Sequence, residues 1–133
     1  MFGAGEFEFG AWSTPFTDAA VDILEVKCGG LGQGGSELVV RLHARDENAT
    51  YRLVFPTIAA VRLLDESGLL EFWQKTTERG GRPGRTAFRV RNHAWTRESP
   101  LSFQATDGWS FVIASDNECL EVVSVAAPAI TAE

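Results

Sequence analysis

Apolar residues recur along this chain mostly with a period of two, the pattern of strands buried on one face. Glu6-Phe7-Glu8-Phe9 alternates first. Over 20–28, Leu24, Val26 and Cys28 share a face opposite Glu25 and Lys27; over 38–45, Leu38, Val40, Leu42 and Ala44 oppose Arg41, His43 and Arg45. The glycine-rich stretch 29–36 between these runs reads as a hairpin loop, where glycine takes positive φ without penalty. Residues 46–49 are turn chemistry, and Tyr51, Leu53 and Phe55 form the inward face of a third strand. Pro56 removes a ladder donor, so the next strand, 58–64, follows a bend or bulge.

The period then changes. Over 65–74, Leu69, Leu70, Phe72 and Trp73 gather on one side of a helix that Asp65 or Ser67 can cap, with Trp73 expected to bury against the sheet. Gly80-Gly81-Arg82-Pro83-Gly84 marks an exposed loop, after which Phe88 and Val90 oppose Arg89 and Arg91 in a strand. Residues 93–106 read as irregular, or as one short helical turn after Ser99-Pro100, pinned by Trp95, Leu101 and Phe103. A closing hairpin places Trp109, Phe111 and Ile113 before a turn at 115–118, then Leu120 and Val122. The expected fold is α+β and mostly antiparallel: a curved sheet or partly open barrel of about eight strands with one short helix. Residues 1–126 form one globular domain in this reading, and 127–133 a mobile tail.

Composition fits a folded domain: 133 residues, 44% hydrophobic and 23% charged, enough to bury a core without disulfides or metals. The net charge of −6 argues against nucleic acid or anionic membrane as partners of the whole molecule. Its distribution is uneven. Residues 75–97 carry seven bases and one acid, whereas 98–133 carry six acids and no base. Neither a signal-like apolar run nor a membrane-length one is present, and the expected address is a bacterial-type cytoplasm. Cys28 and Cys119 then read as buried, reduced thiols.

Candidate chemistry is sparse. Residues 30–35 spell G-x-G-x-x-G, but strand periodicity follows where a dinucleotide site needs a helix amino end. His43 and His93 stand far apart in sequence and read as surface or satisfied histidines, with no metal-ligand spacing around them. Neither G-x-S-x-G nor S-x-x-K occurs. The single Arg79-Gly80-Gly81 triplet is weak grounds for RNA binding, since such segments act as multiples. Glu121, between Leu120 and Val122, is expected to face solvent; turned inward it would need an arginine such as Arg62, or a raised pKa.

Two stretches, FPTIAAVRLLDESGLLEFW at 55–73 and WSFVIASDNECLEVVS at 109–124, resemble small uncharacterised bacterial proteins, some of immunity-protein type. The shared pattern is a strand with an acidic pair, a short helix ending in an aromatic, and a closing hairpin ending in Glu-Val. The resemblance implies a compact α+β binding protein without an active site. The leading expectation is therefore a non-enzymatic protein-binding domain, immunity-type neutralisation of a basic toxin being one instance, with no cofactor or metal. The second is a small-ligand half-barrel whose pocket is lined by Trp73, Phe88, Trp95 and Phe103, with Arg89 or Arg91 fixing an anion. An enzyme comes third. The candidate binding residues are Arg82, Arg89, Arg91, His93 and Trp95.

Overall fold

A computed structural model describes residues 6–29, 37–65, 70–78, 80–104 and 106–133. The expected α+β, mostly antiparallel class is found, with 50% strand and 16% helix. The strands of the described residues form two sheets, with no closed barrel among them. Strands β1 (Glu8–Ala11), β6 (Ala87–Arg91), β7 (Ser110–Ala114), β8 (Glu118–Ser124) and β5 (Ile58–Asp65) form a five-stranded sheet in that order. The second sheet runs β2 (Val21–Gly29), β3 (Glu37–Ala44), β4 (Ala49–Phe55) and β9 (Ala129–Ala132). Every neighbouring pair is antiparallel. Three short helices, α1 (Leu70–Glu78), α2 (Ala94–Glu98) and α3 (Pro100–Gln104), complete the described elements.

The period-two pattern accounts for the layering. Leu38, Val40 and Leu42 of β3, with Leu53 and Phe55 of β4, meet Phe111, Ile113, Leu120 and Val122 of β7 and β8 in one core between the sheets. The opposite face of the five-stranded sheet is buried too: Phe88, Val90, Val112 and Cys119 pack under Phe72 of α1 and Phe7, while Val123 packs under Trp95 and Phe103. Covered on both faces, β7 is buried at every position. The chain changes sheet at Pro56, where Thr57 O accepts Val125 N–H at 3.1 Å and Ser124 Oγ–H at 3.2 Å. On β1, Gly10 leaves room for Trp109, since a Cβ there would lie 2.8 Å from the indole ring.

Four expectations are corrected. The segment read as a mobile tail supplies the ninth strand, β9, which pairs with β4 from Val54↔Ala129 to Tyr51↔Ala132. Cys28 is exposed because it sits near the end of the edge strand β2, opposite Leu38, and the register shift between Ile23 and Glu25 turns Leu24 outward. On α1 the fully buried ring is Phe72; Trp73 is only partly buried at the rim of its cluster. The region expected to be irregular carries two helices, α2 and α3, rather than one turn. β2 and β3 pair antiparallel, as a hairpin requires, down to Gly29↔Glu37. The glycine loop 30–36, the caps and apolar positions within 66–69, and Arg79 lie outside the described residues.

Candidate functional site

The charge expected at the surface lies in the core. Glu121 sits in the middle of β8 and is fully buried on the helix-covered face of the sheet. Arg62 of β5, its register partner, donates from Nε and Nη2 to Oε1 at 2.9 and 2.6 Å. Ser110 Oγ–H donates to Oε2 at 2.5 Å, and His93 Nε2 lies 2.5 Å from the same oxygen. Thr96 Oγ1 lies 3.3 Å from His93 Nδ1, so a ring protonated on Nε2 donates to Glu121 and accepts from Thr96. The rings of Phe7, Phe72 and Phe103 surround the imidazole edge-on at 6.1, 5.6 and 5.8 Å. Burial pushes the Glu121 carboxyl up, but His93, Arg62 and Ser110 together hold it below the ordinary glutamate value.

This cluster contains a serine, a histidine and a carboxylate, yet its wiring differs from a nucleophilic relay. Ser110 and His93 both bond Glu121 Oε2, and all three side chains are sealed from solvent. What the arrangement does is join β5, β7, β8 and the start of α2 through one carboxylate. Asn92, at φ 60°, makes the turn after β6 that sends His93 inward. Sequence reading missed Ser110 and Thr96; a lone hydroxyl at 110, in phase with Val112 and Ala114, was the available signal.

The five candidate binding residues fall in three places. His93 belongs to the buried cluster, and Trp95, 9% exposed, covers its Arg62 arm with the ring centroid 4.4 Å from the guanidinium. Arg89 and Arg91 lie on the other face of the same sheet. Arg91 pairs with Glu8 and stacks 4.6 Å from Trp109; Arg89 bonds Asp107 through both arms at 3.2 Å and lies 4.0 Å from the Phe111 ring. A shallow cleft of about 270 Å³ opens beside Arg89, bordered by Trp12, Ser13, Asp107 and Ser124. Arg82 stands apart, against Trp73 and Phe88. The expected aromatic pocket is filled: Phe88 and Phe103 are fully buried, Trp95 meets Phe103 edge-on at 5.6 Å, and Trp73 belongs to a different cluster. Among the described residues no group of three or more His, Cys, Asp or Glu could hold a metal.

The sheet margins differ in how they are protected. β1 and β9 have four residues each, and β2 carries Asp22, Glu25 and Lys27 besides its register shift. β5 has none of these devices along most of its length. It runs eight residues with Arg62 as the only charge before Asp65, and that charge is turned inward onto Glu121. Its irregularity is confined to Ile58/Ala60. Leu63 is 45% exposed there, and Leu101, on the α3 helix that packs beside β5, is 78% exposed. Comparison of the chain with protein families, curated proteins and solved structures finds no match.

Proposed function

We propose that this chain is a non-enzymatic protein-binding domain whose β5 edge receives an extended, basic segment of its partner. The carrying observation is the edge itself: a strand of eight residues that pairs with β8 alone among the described strands, with no outward charge from Ile58 to Leu64. A strand added there satisfies the open backbone groups, and its alternate side chains meet Val61 and Leu63. Charge selects a basic occupant. The molecule carries −6 overall, Glu118 stands opposite Asp65 at the end of β5, and Glu98 is exposed on α2, whose Trp95 packs with Ala60 of β5. Complementary charge of this kind speeds and orients encounter. Immunity-type neutralisation of a basic toxin is one instance of such binding.

Selection of binders from a library of unstructured peptides, followed by amide-shift mapping, tests the proposal. Selected peptides are expected to be basic, to shift the amides of β5 and β8, and to lose affinity with Leu63→Lys, which places a charge on the edge. Peptides that map to another surface, or that bind the Leu63→Lys protein equally well, would overturn it.

A further inference from the structure

Seven of the nine described arginines have a carboxylate within ion-pair distance: Arg41, Arg45, Arg62, Arg85, Arg89, Arg91 and Arg97. Arg52, one of the other two, is exposed on β4. Arg82 is the exception that solvent does not explain. Its guanidinium is recessed, 4.9 Å from the Trp73 ring centroid and 5.5 Å from that of Phe88, and no carboxylate pairs with it among the described residues. Of its five N–H donors, one is used among the described residues, from Nη2 to Arg85 O at 2.7 Å. The nearby Cys119 supplies no counter-charge, because burial pushes its thiol up to about 12. Gly80 and Gly81, at φ 75° and 121°, shape the loop that holds Arg82 in this position.

We propose that Arg82 is a binding site for the carboxylate of a small organic acid, held in the plane of the guanidinium whose face Trp73 and Phe88 cover. A planar fork pairs bidentately with a carboxylate, and ring contacts that strip water from a cation strengthen the pair it then forms. Desolvation already lowers the Arg82 pKa, in keeping with a cation that lacks its counter-ion. A monoanion fits better than a phosphoryl dianion, because Arg85, the described cation that acts on Arg82, is engaged with Asp116 at 3.6 Å. The site lies on α1 and the loop before β6, away from the β5 edge, and stands or falls independently of it.

The test is a titration of the whole, isotopically labelled chain with sodium acetate against sodium chloride at matched ionic strength, read at the arginine Nε–H resonances. The Arg82 resonance is expected to shift and saturate with acetate while that of Arg52 stays flat. Arg82→Lys keeps the charge and removes the fork, and should weaken acetate binding at least about tenfold when followed at the Trp73 indole N–H. A non-saturating shift shared by Arg82 and Arg52 would overturn the site, and that result needs no variant to fold. Inorganic phosphate binding at Arg82 more tightly than acetate would overturn the carboxylate class. Unchanged affinity in a folded Arg82→Lys protein would overturn the role of the fork.

Discussion

Glu121 accepts four hydrogen bonds from three side chains in a space closed by aromatic rings. A carboxylate so placed stabilises the fold only while it is ionised. Its folded pKa lies below its unfolded one, so the contribution is complete above about pH 4.5, the ordinary glutamate value, and is lost as pH falls through the folded value. Glu121→Gln leaves Arg62 unpaired against Trp95 and should lower stability by about 3 to 5 kcal/mol at neutral pH, the range for breaking a buried pair. Denaturant unfolding across pH checks both points: the gap between the two proteins should be widest above pH 5 and narrow in acid. The cysteines make a second forecast at this scale. Cys28 should react with a thiol reagent in the native state, and Cys119, buried and held as a neutral thiol, only after unfolding. Equal native rates would contradict the edge position of β2.

At the scale of elements, α1 attaches to the sheet through Phe72, whose ring meets Phe7 at 5.8 Å and Phe88 at 6.4 Å. Phe72→Ala is therefore expected to cost about 3 to 5 kcal/mol, and Trp73→Ala clearly less, because Trp73 keeps one side in solvent. Equilibrium unfolding of both variants checks the order; a larger loss at Trp73 would reverse the assigned packing. β9 is held by β4 and by an Arg41–Glu133 pair at 2.8 Å. Removing 129–133 uncovers the edge of β4, a run containing Leu53, Val54 and Phe55. Sedimentation should then show more self-association than the intact chain does.

For the whole molecule, the uneven charge of the sequence resolves into cross-links. Arg85 reaches Asp116 and Arg89 reaches Asp107, so the basic run 75–97 and the acidic run 98–133 partly neutralise each other, while Arg45 and Arg62, from earlier in the chain, reach Asp116 and Glu121. What remains outward is the net −6. Binding of a basic partner should accordingly weaken as salt rises from about 0.05 to 0.5 M, mainly through a slower association rate. Stopped-flow kinetics with a selected peptide measures this, and a salt-independent rate would leave charge no part in the choice of partner.

Period-two alternation made the strands and their pairing order within each hairpin legible, because an antiparallel neighbour a short loop away needs no distant information. The same alternation named most of the core between the sheets, such as Leu38, Val40, Leu42, Leu53 and Phe55. It also singled out Arg62 as the partner that an inward Glu121 would require. Tertiary structure decided the direction Glu121 faces, since β8 is covered on both faces and a helical layer that a local pattern cannot see closes over it. It likewise turned the last residues into a strand, because β4 offered an open edge, left Cys28 exposed near the end of an edge strand, and turned Leu24 outward, because a register shift moves a side chain across the sheet. Local sequence specifies what each segment buries; which other segment covers it depends on contacts far apart in the chain.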